Sequence, residues 1–303
     1  MKIVSLLPSA TEIICALGLG EQLVGVSHRC DYPPEIEDVA IVTRPAAVPA
    51  DEVRRGDGLG DDELGPSDLD KDAMLAAAPD LIIVREGGLG PGARDIEAAL
   101  VGADVSPEIV ALDPITLEGI FHSITTIGAM TESEDDAIEL LEELREDLGE
   151  IEQGVVARHD QGLRPKRVVV LEGLDPLLAS GRWVPEQVRR SGGWDVLGRE
   201  GEPSSPITWE DIRDVDPEML LIAPAGMTLL EAQALWRKLE LPAFWEDLDV
   251  ARRGLVFFVE SVYFSRPGPR IVDGVGMLAE IFDPEGFVDT SPPDSWAPIG
   301  GDF

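Results

Sequence analysis

The stretch whose reading decides the fold is the opening one, MKIVSLLPSATEIICALGLG (residues 1–20). A lysine, an apolar run and a cysteine at position 15 is roughly how an exported lipoprotein begins. The same residues also spell a strand, a turn and a helix. The lipoprotein reading fails on particulars: Pro8, Ser9, Thr11 and Glu12 interrupt the apolar run, and Glu12, Ile13 and Ile14 stand before Cys15 where small residues belong. The folded reading accounts for every position. Lys2 to Leu6 is a buried strand, Ser9 an N-cap with Glu12 completing a capping box, and Gly18 and Gly20 close the helix. A cytoplasmic location is the expectation that follows, with an extracytoplasmic one as the alternative for a trimmed chain.

Outward from this stretch the same rhythm repeats. LVGVS (23–27) and IVT (41–43) read as strands, about 45–68 as a polar surface loop, and LDKDAMLAAAPDLIIV as a helix and then a strand. REGGLGPG (85–92) precedes another helix, and EIVALD (108–113) is again strand. Alternation of this kind predicts a parallel sheet with helices on its faces. From Thr131 to about His159 one long helix is expected, opened by a Thr131–Glu134 capping box, with Ile138, Leu141, Leu144 and Leu148 on its apolar face. RPKRVVVLE (164–172) restarts the alternation. MLAAAPDLIIVREGG (74–88) is echoed by IRDVDPEMLLIAPAG (212–226), as two similarly built lobes joined by one helix would show. The expected organisation is an N-terminal α/β lobe over 1–130, a linking helix over 131–160 and a C-terminal α/β lobe over 161–303.

Charge narrows the function classes. The chain of 303 residues carries 59 acidic and 24 basic side chains, a formal net charge of −35. Such self-repulsion favours a salt-screened environment, so the acidic residues read first as a solvated, halophilic surface and second as a patch for a basic partner. Phosphate backbones would be repelled, which disfavours nucleic acid. No run of about 18 apolar residues suggests a membrane span. Cys15 and Cys30 are the only cysteines, too few for a disulfide framework or a zinc site.

Catalytic signatures fall short. GGLGPGA (87–93) has Ala93 where a dinucleotide fingerprint needs its third glycine. DLDKDA (68–73) begins like a calcium loop but has Ala73 in the glycine position. His28, His122 and His159 are far apart and read as structural or solvated; HExxH and GxSxG are absent. Three loops after strands are more telling: SHRCDYPP (27–34), LEGLDPLLASGRWVPE (171–186) and SVYFSRPGPRIVDG (261–274). All six tryptophans lie after residue 182, and aromatic faces near strand ends suit a large, flat, partly apolar ligand, although each could be core instead.

These loops carry a resemblance. VSLLPSATEIICALGLGEQLVGVSHRCDYPPEI, LDPLLASGRWVPE, GEPSSPITWEDI and YFSRPGPRIVDGV together resemble the cobalamin-binding type of substrate-binding protein from ABC importers, the helical-backbone (class III) metal-chelate receptors. The resemblance implies two Rossmann-like α/β lobes with parallel-type sheets, one long backbone helix and a ligand cleft between the lobes. It implies non-catalytic capture of cobalamin or another corrinoid, with no catalytic cofactor, and delivery to an ABC permease by a monomer that inserts into no membrane. Carried over by position, the ligand-binding residues are Ser9, Ala10, His28, Arg29, Asp31, Tyr32, Arg44, Arg85, Gly87, Gly88, Trp183, Ser204, Tyr263, Phe264 and Arg266. Asp72 and Glu210 correspond to the acids that dock on the transporter. His28 is read as hydrogen-bonding or structural in preference to coordinating the metal. Two alternatives stand beside this reading. Arg29, Arg44 and Arg85 suit the carboxylates of a ferric siderophore or a haem-like chelate. A cytoplasmic corrinoid-handling protein or enzyme is the other.

Overall fold

Continuous apolar runs form parallel strands because each is covered on both faces. The computed structural model describes residues 1–46, 67–85, 90–103 and 105–299. Most of the loop expected over 45–68, together with Gly87 and Gly88, lies outside the described residues. The chain divides into two units. The first takes the described residues up to Leu144 and also Arg266–Pro269; the second takes Arg145–Ser265 and the described residues from Arg270 onward.

In the first unit four parallel strands lie in the order Leu23–Val26, Ile3–Ser5, Leu81–Arg85, Glu108–Leu112. Leu81–Arg85 is buried at every residue, as its unbroken apolar sequence predicts. Val4, Ile82 and Val84 pack with Met74 of helix Lys71–Ala77 and Ile96 of helix Ala93–Leu100. Each such side chain contributes roughly 1.5–3 kcal/mol on burial.

The second unit repeats the order. Gly193–Asp195, Lys166–Leu174, Met219–Ile222 and Val256–Val259 are parallel neighbours in that sequence. Antiparallel additions flank them: Leu177–Ala179 pairs with Lys166–Leu174 and with Ser205–Pro206, and Trp296–Pro298 covers the other edge. Over its described residues, 74–85 and the matching 212–223, the echo is the same piece of each unit. Helices Lys71–Ala77 and Trp209–Val215 both stop at a left-handed residue, Ala78 (φ 45°) and Asp216 (φ 44°). Pro79 and Pro217 follow, and neither can continue a helix.

The tryptophan-rich second half is largely core. Trp209, Trp236 and Trp245 meet edge-to-face with centroids 5.3–6.0 Å apart, against Phe258. Helix packing, more than a ligand, accounts for this enrichment.

Helix Glu134–Asp160 runs 27 residues, and the boundary between the units falls inside it, between Leu144 and Arg145. Three local expectations are corrected. Thr131 does not cap this helix: it ends the preceding helix Leu117–Met130, with its hydroxyl donating to Ile127 O at 2.8 Å, and Glu132 (φ 57°) breaks the chain direction. Ile138 is 55% exposed, and Ala137 takes its place in the buried stripe with Leu141, Leu144 and Leu148. The reason is a close helix approach, since a Cβ on Gly128 would sit 2.6 Å from the Ala137 methyl. Ser9 does not cap helix Pro8–Ala16. Leu7 precedes the helix, and Pro8 occupies its first position, where a missing N–H costs nothing.

Candidate functional site

Parallel strands send all their carboxyl-terminal loops to one edge of the sheet, where α/β units place ligands. In the first unit that edge gathers Ser9 and Ala10 at a helix start, Ser27–Tyr32 after the second strand, and Arg85 at the end of the third. Arg266 joins them from far along the chain. It forms a two-pronged pair with Asp31, through Nη1 to Oδ1 and through Nη2 to Oδ2 at 3.0 Å, and its Nη1 lies 3.8 Å from Glu12 Oε1. Arg266 and Glu12 are buried, so Glu12 serves as a countercharge and not as the cap expected of it.

Local acids offset other arginines in the same way. Arg85, 6% exposed, donates through Nε (3.2 Å) and Nη2 (3.1 Å) to Asp113 Oδ1. Arg44 lies 3.8 Å from Asp68 with both side chains exposed, a contact of little energetic weight. Thr11, one residue before Glu12, donates to Ser5 Oγ at 2.9 Å and lies 3.1 Å from Cys30 Sγ. Cys15 and Cys30 form no disulfide, and burial, then Glu35 and Glu12, push the Cys15 thiol up to about 11.

His28 is half-buried and pinned twice to one hydroxyl. Its backbone N–H donates to Thr43 Oγ1 at 3.0 Å, and its Nδ1 lies 2.8 Å from the same oxygen. The Thr43 hydroxyl in turn donates to Ser27 Oγ at 3.2 Å. Burial, then Arg29, holds the imidazole below its ordinary range. Ser27 opens the loop SHRCDYPP, but nothing local in the sequence marks Thr43; only strand register brings it here.

In the second unit Trp183 and Phe264 are each 2% exposed, and the indole N–H donates to Phe264 O at 2.7 Å. Gln187 ties the same loop, with Nε2 donating to Tyr263 O (3.0 Å) and Ile271 O (2.8 Å). These two rings therefore hold the loop together from inside. Among the aromatic candidates, Tyr32 (43% exposed) and the half-buried Tyr263 present themselves to solvent.

Ser204 donates to Glu172 Oε2, a buried carboxyl group that no local sequence pattern marks as functional. Burial pushes Glu172 up to about 8, against the opposing pull of Ser204, Arg182 and the Gly181 backbone; Asp195 adds to the rise. Asp195 accepts from Ser180, Leu197 N and Gly198 N, and burial lifts it to about 6. Gly181 is required where it stands, because an added Cβ would lie 2.4 Å from Glu202 O and 2.5 Å from Ser204 N. Asp72 and Glu210, the proposed docking acids, are both exposed and both the second residue of a capped helix. Among the described residues no group of three or more His, Cys, Asp or Glu side chains could hold a metal ion.

Two α/β units of matching strand order and a 27-residue helix that runs across their boundary define a helical-backbone (class III) substrate-binding protein. The chain belongs to the periplasmic binding protein family, whose profile matches residues 3–257. It is 26% identical over 275 residues to a vitamin B12-binding protein of Pectobacterium atrosepticum, covering 89% of this chain and 84% of that one. It is 23% identical over 291 residues to an uncharacterised ABC transporter substrate-binding lipoprotein of Bacillus subtilis, covering 94% and 81%. The crystal structure of a periplasmic haem-binding protein from Pseudomonas aeruginosa shares the fold, with a TM-score of 0.71, 22% identity and coverage of 94% and 93%. The family's role is non-catalytic solute binding, and the chain is not an enzyme. The expected cytoplasmic location, and with it the cytoplasmic handling protein or enzyme, is overturned. A periplasmic family and a lipoprotein relative point outside the cytoplasm.

Proposed function

We propose that the chain captures a corrinoid, cobalamin or a close relative, and delivers it to the permease of an ABC importer. The observation that carries this reading is the likeness to a vitamin B12-binding protein along 89% of the chain. The charge arrangement supports it over a siderophore. Arg85 and Arg266 are already matched by Asp113, Asp31 and Glu12, so neither is held ready for an anionic ligand. Ser9, Ala10, His28–Tyr32, Arg44 and Arg85–Gly88 from the first unit, and Ser204 and Tyr263 from the second, are proposed to contact the ligand. Trp183 holds the loop of Tyr263 through Phe264 O, and Arg266 holds Asp31. A haem-class chelate is the second reading, since a haem-binding receptor shares this fold.

The test is a calorimetric titration with cyanocobalamin, cobinamide and hemin in molar KCl, where the −35 charge is screened. Saturable one-to-one binding of either corrinoid is expected. Hemin binding alone would transfer the assignment to haem, and folded protein that binds none of the three would overturn it.

A further inference from the structure

We propose that His28 Nε2 is an axial donor to the metal of the bound chelate. The inference rests on the corrinoid or haem-class reading above and adds to it a specific atom.

The argument is an inventory of one hydroxyl. Thr43 Oγ1 has a single proton and two lone pairs. The proton goes to Ser27 Oγ at 3.2 Å. One lone pair accepts the His28 backbone N–H at 3.0 Å. With that proton on Ser27, a second lone pair is left for the contact to Nδ1 at 2.8 Å, and the proposal assigns the imidazole proton to Nδ1. That tautomer leaves Nε2 with an unprotonated lone pair, and Nε2 has no hydrogen-bond partner among the described residues. A histidine whose far nitrogen is fixed by a hydrogen bond is the ordinary arrangement of a metal ligand.

Position agrees. His28 stands two residues beyond the end of strand Leu23–Val26, in the loop that shares the ligand edge with Tyr32. A site with one donor is enough for this cargo. A corrin or porphyrin brings four ring nitrogens with its metal, so the lack of a three-residue cluster among the described residues does not count against it. In the binding step the Nε2 electron pair forms the bond to cobalt(III) and a metal-bound water leaves; no electron is transferred and no proton is released.

The probe is diaquocobinamide, whose axial positions hold exchangeable water, with dicyanocobinamide, whose axial positions are blocked, as the control. Wild-type protein is expected to shift the visible bands of diaquocobinamide toward those of an imidazole complex. His28→Ala should abolish that shift and weaken diaquocobinamide by about tenfold or more, a loss of at least 1.4 kcal/mol. Its binding of dicyanocobinamide should weaken by far less than its binding of diaquocobinamide, and a circular dichroism spectrum matching wild type shows that the variant is folded. Free imidazole should restore the shift, and Thr43→Val should weaken it by releasing Nδ1. Equal spectra for wild type and His28→Ala with diaquocobinamide bound would overturn the inference and leave the corrinoid reading intact. Folded wild-type protein that binds neither probe would overturn both.

Discussion

Asp80 and Glu218 hold the same place in the two units. Asp80 Oδ2 accepts the backbone N–H of Lys2 at 2.7 Å, and Glu218 Oε2 accepts that of Arg167 at 3.0 Å. The return bonds match, Asp80 N to Lys2 O at 2.8 Å and Glu218 N to Arg167 O at 2.7 Å. In each unit an acid directly after a helix-stopping proline clamps the start of the first strand to the third. Asp80→Ala and Glu218→Ala should each lower stability by about 1 kcal/mol, the usual worth of such a bond. Urea unfolding checks it, and neither variant should change ligand affinity.

The buried Arg266 pair gives a larger effect. Arg266→Ala removes the guanidinium from Glu12 and Asp31 and should cost about 3 kcal/mol, because a buried carboxylate loses its countercharge. Glu12→Gln in the same chain should recover part of that loss. A double-mutant cycle by thermal or urea unfolding measures the coupling.

Glu172 sets a pH dependence. Its folded pKa, about 8, stands above the ordinary 4.5, so between those values the folded state binds more protons than the unfolded one. Stability from this group is therefore greatest at low pH and falls as pH rises through that window. Asp195 acts in the same direction between 3.8 and about 6. Glu172→Gln should raise Tm relative to wild type near pH 8.5 and change it little near pH 5, with roughly 2–4 °C for each kcal/mol. Differential scanning calorimetry at the two pH values decides it.

Asp72 and Glu210 are exposed, so their charge is dispensable to the fold. Asp72→Lys and Glu210→Lys should cost no more than about 0.5 kcal/mol each, through the lost helix-terminus attraction. Ligand affinity should hold within about twofold. Uptake by the cognate transporter in proteoliposomes should fall with either change and further with both. Undiminished uptake in the double variant would remove these residues from the docking role.

How far this was legible from letters varied with range. The opening βα unit, the two copies of helix–proline–strand and the long acidic helix were readable because each depends on neighbours a few residues apart. The misreadings were local as well, and tertiary packing caused them. Glu12 has the spacing of a capping box, but a buried arginine 254 positions away claims it. Ile138 has helical spacing, but Gly128 admits Ala137 and turns the isoleucine outward.

By itself the sequence determined the α/β class, the doubled architecture and the loops that carry the candidate ligand residues, because hydrophobic period, proline and glycine act within a turn or a strand. Only the tertiary structure decided which candidates meet. Asp31 and Arg266 are 235 residues apart, Glu172 and Ser204 are 32 apart, and His28 reaches Thr43 across 15. Those contacts follow from strand order and register, which are set by burying whole faces of the sheet and leave no mark on the residues that happen to meet at its edge.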